Sequence, residues 1–439
     1  MSLTFIVILS ILVALILLFL GSPVFVCLGL AGVTGIFLND ILLGGVGVSV
    51  LQTTVFGSVS KTTLVAAPLF ILMGEIIFRS GIGADLYTGI SRLLHRLPGG
   101  LAIATVAAST IFGAMCGVSI AAVATIGVIA LPEMLKRGYD PKLAAGSVCA
   151  PGALAMLVPP SLLFILYGEV SGTSVAKLFT AGFFPGLLLA LLMCAYILVH
   201  ETISTSKNKI KKDVEPLTIN EITRLIFGLW SPLLLIGAVL LSIYVGIATP
   251  TESAAIGVFG AYLIAFFKYR NMDWHTFTGT LQQAARITST ILIVLVGASV
   301  FTQFLNLLRV PDACAGYVIS LDISPWVTML MIQVMLLFLG MFIDGASMVL
   351  ITTPILLPTM LALHWDPIWF GVLMITNINI AVITPPVGLN LYTLASITQE
   401  VDMETILKGT LPYVVVEFIG LLILIFFPQI SMWLPGIMQ

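Results

Sequence analysis

Residues 4–20, TFIVILSILVALILLFL, carry no charged side chain, and stretches of this kind recur along the chain, as in residues 231–247, SPLLLIGAVLLSIYVGI. In hydrocarbon every backbone N–H and C=O must find its partner within the protein, which leaves helices and closed barrels as the only spanning structures. About 20 consecutive apolar residues make a helix long enough to cross, and these runs reach or approach that length. Only 9% of the residues are charged, against about 25% in an ordinary soluble domain. A water-soluble globule is excluded, and the expected fold class is an all-α polytopic membrane protein. The first run has neither a basic segment before it nor a small-residue cleavage site after it, so it reads as a retained span.

The cysteines, Cys27, Cys116, Cys149, Cys194 and Cys314, sit in apolar or Gly-rich surroundings without CxxC spacing and read as small packing residues. The four histidines are scattered, and neither a metal-ligand pattern, a nucleophile–base pattern nor a phosphate-binding glycine loop is present. No enzyme chemistry is therefore expected, and no nucleic-acid partner.

Lysine and arginine collect on the cytoplasmic side of membrane proteins. Spans at 4–20, 23–39 and 63–78, starting outside, put fifteen of the eighteen basic residues inside and leave Lys61, Lys177 and Arg309 outside. This threading requires residues 100–132 and 326–358 each to enter and leave on one side, as re-entrant hairpins. It also puts both chain ends outside, and it makes residues 200–221 a cytoplasmic linker. Residues 84–97 and 272–286 mix basic and apolar side chains at helical spacing and read as helices lying in the interface plane.

Pro159-Pro160 and Pro385-Pro386 are 226 residues apart, and the same offset relates Asp140-Pro141 to Asp366-Pro367 and Pro132 to Pro358. Ungapped alignment of residues 129–163 at that offset gives eleven identities in 35. The first Asp-Pro loop carries Lys136, Arg137 and Lys142, whereas its counterpart LALHWDPIWF carries no Lys or Arg. The copies therefore face opposite sides, which makes an inverted-topology repeat of the kind many secondary transporters are built on.

Each proline pair interrupts an apolar helix. Proline withholds an amide and frees an upstream carbonyl, and in lipid such a break survives only where it is buried in protein or lines a polar cavity. Freed carbonyls suit a small hard cation, and half-helix N-termini suit an anion. Within the second hairpin, Asp344 reads two ways: as a functional carboxylate at membrane depth, or as an N-cap for the segment after it. Glu75 and Arg79, spaced i,i+4, read as an ion pair. Arg309 either anchors its span or attracts anions.

The stretches GMFIDGASMVLITTPILLP, ITPPVGLNLY, LVPPSLLFILYG and PLFILMGE together resemble the large permease subunit of the tripartite ATP-independent periplasmic (TRAP) transporters, over residues 22–428. The resemblance implies sodium-coupled import of a small carboxylate such as a C4-dicarboxylate or sialic acid across a bacterial inner membrane. Na⁺ is the coupling ion, with no organic cofactor. The implied partners are a periplasmic substrate-binding protein, a small four-helix membrane subunit and lipid. It further implies a scaffold at 1–99, 231–325 and 399–439, a helix and linker at 169–230, and an elevator-type transport domain made of residues 100–168 and 326–398. Carried onto this chain, the sodium positions are Gly117, Ser119, Gly152, Ala153 and Pro159 in the first half, with Gly345, Ser347, Asn379, Thr384 and Pro385 in the second. Substrate contacts fall on Ser119, Ser161 and Asp344. Two departures are visible: Ala153 stands where the family usually has a hydroxyl residue, and Ala155 and Ala381 stand where it often has glycine. The alternatives are a dicarboxylate symporter that takes free substrate directly, a channel with re-entrant loops, and a membrane-embedded enzyme.

Overall fold

The structure, a computed structural model, describes residues 3–44, 47–204, 223, 225 and 228–437. Most of the expected linker, 200–221, lies outside the described residues, as do its lysines and Arg224. Among the described residues the regular structure is helical, with no strand, and eight helices are long and apolar enough to cross a membrane. The fold is that of a polytopic α-helical membrane protein.

In chain order the first half contains α1 (Leu3–Phe19), α2 (Val24–Leu43), α3 (Val48–Val59), α4 (Ala66–Ser80), α5 (Ile82–Leu94), α6 (Gly100–Cys116), α7 (Ser119–Lys136), α8 (Pro141–Ala153), α9 (Leu162–Ser171) and α10 (Val175–Ser204). The second contains α11 (Trp230–Tyr244), α12 (Pro250–Leu263), α13 (Trp274–Leu307), α14 (Val310–Ser320), α15 (Pro325–Gly340), α16 (Gly345–Ala362), α17 (Pro367–Val382), α18 (Leu389–Ile397), α19 (Met403–Phe426) and α20 (Gln429–Ile437).

The offset read from the prolines reappears in the helix bounds. Adding 226 to 119 and 136, the ends of α7, gives 345 and 362, the ends of α16; adding it to 141 gives 367, where α17 starts. Asp140 and Asp366 cap α8 and α17 alike: the first accepts from the Lys142 amide at 3.0 Å, the second from the Ile368 amide at 2.7 Å, and each precedes a proline at the first helical position. That proline has no N–H to leave unpaired, and its fixed φ suits the first turn.

Small side chains set the close helix crossings, as membrane helices require when no water drives them together. A methyl built on Gly32 of α2 would sit 2.7 Å from the Phe301 amide nitrogen of α13, and one on Gly409 of α19 would sit 2.1 Å from the Lys142 carbonyl oxygen of α8. Glu75 and Arg79 do pair, at 3.8 Å.

One element and one boundary differ from the sequence reading. Residues 272–286 do not form an arm of their own: from Trp274 they are the first turns of a continuous 34-residue helix, α13, because nothing between the polar arm and the apolar span breaks the helix. Residues 84–97 fall largely in α5, which packs Gly83 against Thr125 and Phe112 of the first hairpin. The boundary drawn at 168 falls inside α9, which runs to Ser171.

Candidate functional site at the interrupted helices

At the first break, α8 passes into a tight turn at Leu154–Met156, where the Leu157 and Val158 amides donate to the Leu154 carbonyl at 3.0 and 2.8 Å. Pro159 and Pro160 follow, joined by a cis peptide bond. Neither has an amide to offer. The fully buried hydroxyl of Ser161 supplies one substitute donor, to the Met156 carbonyl, before α9 begins.

The second break uses different side chains for the same task. The Ile383 and Thr384 amides turn back to the Ile380 and Ala381 carbonyls, and the Thr384 hydroxyl donates to the Ile380 carbonyl at 2.6 Å. Pro385-Pro386 is again cis, and Gly388, with φ +51°, turns the chain into α18. Residues 150–161 are buried, whereas Pro386 and Val387 of the second break are exposed.

The hairpin tips close on these breaks, each tip on both. Gly117, with φ +64°, ends α6, and a methyl there would lie 3.0 Å from the Pro160 carbonyl oxygen. Two residues on, the Ser119 hydroxyl donates to Oδ1 of Asn390 at 2.6 Å, across to the second break, and Asn390 Nδ2 donates to the Cys149 carbonyl at 3.0 Å. The second tip mirrors this: the Val387 amide donates to the Met341 carbonyl at 3.3 Å, and a methyl on Gly345 would meet Leu163 of α9 at 3.3 Å and Ile378 of α17 at 2.7 Å. Four helices therefore begin around this junction, at Ser119, Leu162, Gly345 and Leu389, and four end there, at Cys116, Ala153, Gly340 and Val382. Helix starts present amides to anions and helix ends present carbonyls to cations, so the junction offers both.

Asp344 is the N-cap of α16. Its Oδ1 accepts from the Ser347 amide at 3.0 Å, its Oδ2 accepts from the Ser347 hydroxyl, and the side chain reaches solvent. Gly152 and Ala153 bring α8 against α7, where a methyl on Gly152 would sit 2.3 Å from Val123. Of the three departing alanines, Ala155 and Ala381 are met by glycines opposite: Gly113 abuts Ala155, and Gly340 abuts Ala381, each with room for no further methyl.

Asn379 of α17 is fully buried, and neither its carbonyl nor its amide group has a hydrogen-bond partner among the described residues. An orphaned amide of this kind costs about 1–3 kcal/mol, and its Oδ1 is an oxygen donor of the type a hard cation takes. Its neighbour Asn377 is half satisfied: Nδ2 donates to the Gln333 backbone and side-chain oxygens at 2.8 and 3.0 Å, while its Oδ1 has no partner. The residues present fit a sodium ion in chemistry, through carbonyls, hydroxyls and these amides. Asn390, Asn377 and Gln333 were not singled out from the sequence, and Cys149 was read there only as a packing residue, whereas here its backbone carbonyl takes part. Asn390 flanks a break, but the residue 226 positions before it is Phe164, so the offset gave no echo of it.

Interrupted helices that meet in the interior of a membrane-spanning bundle are the build of membrane transport proteins as a class. Over residues 11–430 the chain matches the family described as "Tripartite ATP-independent periplasmic transporter, DctM component", and it belongs to that family, the large permease subunits of TRAP transporters. The C4-dicarboxylate TRAP transporter large permease protein DctM of Pseudomonas aeruginosa is 33% identical over 410 residues, with 93% of each chain covered. The sialic acid TRAP transporter large permease protein SiaM of Vibrio cholerae is 30% identical over 421 residues, covering 95% of this chain and 96% of that one. In fold alone the chain is similar to the YdaH transporter of Alcanivorax borkumensis, with a TM-score of 0.63, 16% identity, and 87% and 89% of the two chains covered.

Proposed function

We propose that this permease imports a small organic acid across a bacterial inner membrane, driven by a sodium gradient. A soluble periplasmic binding protein delivers the acid, and a separate small four-helix membrane subunit completes the complex. The reading rests above all on the reciprocal contacts of the two hairpin tips and two breaks, which bring four helix starts and four helix ends to one junction. Such a junction can bind cation and anion together, which is what a symporter needs.

In this reading the halves form an inverted repeat, supported by the shared 226-residue offset of helix bounds and by basic residues in only one of the two Asp-Pro loops. Sodium sits at the first tip with Gly117, Ser119, Gly152, Ala153 and Pro159, and at the second with Gly345, Ser347, Asn379, Thr384 and Pro385. Ser119, Ser161 and Asp344 contact the acid. The hairpins and broken helices move together as an elevator against the remaining helices.

Proteoliposomes containing this chain and the small subunit, supplied with the binding protein, test the reading. Uptake of C4-dicarboxylates, sialic acid and related acids is measured under an inward gradient of sodium or of potassium. Uptake that needs sodium and the binding protein is expected. Uptake driven by ATP without sodium would refute it, and uptake without the binding protein would favour a direct symporter.

A further inference from the structure

Two cavities away from the proline breaks meet at one ion pair. The wider, of about 860 Å³, opens among segments 61–65, 168–176 and 249–252. The narrower, of about 310 Å³, lies between α3 and α13, with α9 and α16 closing it, and Thr54, Ser58, Ser299, Thr302 and Gln303 line it. Lys61 and Glu169 line both cavities. Their Nζ and Oε1 atoms are 2.5 Å apart, yet the Lys61 side chain is 55% exposed and that of Glu169 only 5%. The Thr63 hydroxyl donates to the other carboxylate oxygen of Glu169.

We propose that Lys61 receives a carboxylate solute passing from the wider cavity to the narrower one, exchanging Glu169 for the solute's own carboxylate. The proposal rests on the carrier reading above and adds a recognition residue outside the junction of the breaks. Three features carry it. An ammonium has three donors, so Lys61 can hold the incoming group before releasing Glu169. Glu169 keeps the Thr63 hydroxyl when Lys61 turns, so it is not left as a bare buried charge, which is the costly outcome of breaking such a pair. The exposure is lopsided: solvent reaches the cation and hardly the anion, the arrangement of a receptor for anions rather than of a symmetric structural bridge. Beyond the pair, the hydroxyls and the amide of the narrower cavity can take the polar remainder of an organic acid, and Val170, Leu295 and Leu350 its carbon chain.

The chemical test needs no transport. Acylation of Lys61 by a water-soluble succinimidyl acetate is followed by peptide mass spectrometry on the full chain in detergent, in sodium succinate or in sodium chloride at matched ionic strength. Severalfold slower acylation in succinate is expected, and equal rates in the two salts would overturn the proposal. In proteoliposomes, Lys61→Met is expected to raise the KM for the transported acid about tenfold to a hundredfold, the worth of one charge-assisted hydrogen bond, while Glu169→Gln, which removes the competing carboxylate, lowers it. If both variants lose uptake alike and unfold at a lower temperature, the pair is a structural bridge and the proposal fails. A wild type that takes up no acid with sodium would defeat the carrier reading, and the acylation result would still decide the role of Lys61.

Discussion

Asp344 combines a local task with a charge. As an N-cap it satisfies the Ser347 amide, and its removal to alanine costs about 0.5–2 kcal/mol. Asparagine keeps an acceptor at the same place without the charge. Asp344→Ala is therefore expected to lower the unfolding midpoint in detergent, and Asp344→Asn to leave it nearly unchanged. If the carboxylate takes part in transport, both variants lose uptake; near-normal uptake by the asparagine variant would leave capping as the whole role. Asn379 gives a second case, because its amide is buried without a partner. A ligand bound only to the folded state stabilises it by about 2.7 kcal/mol at a hundred times its Kd. The wild-type midpoint should accordingly rise in sodium relative to potassium, and Asn379→Leu should abolish that rise without lowering the potassium value. A rise that survives the substitution would remove Asn379 from the sodium site. Asp344 was legible because a carboxylate amid apolar residues is conspicuous. Lys61 and Glu169 were not legible as a pair: residues so far apart in sequence leave no periodic trace, and only the fold brings them together.

The helix starts and breaks were the most readable elements, since proline fixes φ and lacks an N–H, and aspartate accepts from the first-turn amides. The bounds of α7 and α16 follow the proline offset without slippage. The start of α13 was misread because an amphipathic arm and an apolar span share the same helical period, and composition alone does not say whether a break separates them. Close crossings were also hidden, since one glycine looks like another in sequence. Gly409 of α19 meets the Lys142 backbone, whereas Gly237 of α11 has nothing within 4 Å of its would-be methyl. Alanine is the better helix former by about 1 kcal/mol, so Gly237→Ala should hold or raise the unfolding midpoint. Gly409→Ala forces α8 and α19 apart and should cost about 1–3 kcal/mol as an overpacked contact. Equal effects of the two substitutions would show that the α8–α19 crossing is not as tight as described.

At the scale of the molecule the halves are clasped rather than stacked. The Ser119 hydroxyl of one half holds Asn390 of the other, the Tyr167 hydroxyl donates to the Pro367 carbonyl at 2.6 Å, and Gly345 lies against Leu163. A chain cut between residues 204 and 223 is expected to yield two fragments that copurify and regain sodium-dependent stabilisation only when made together. Either fragment folding stably by itself, judged by protease resistance in detergent, would contradict this.

The clasp between Ser119 and Asn390 bears on how the two halves can change. A substitution at either position strands a buried polar group in the opposite half, so a change in one must be answered in the other. The two halves are in this way bound to each other, free to change in sequence only while the fit between them is kept.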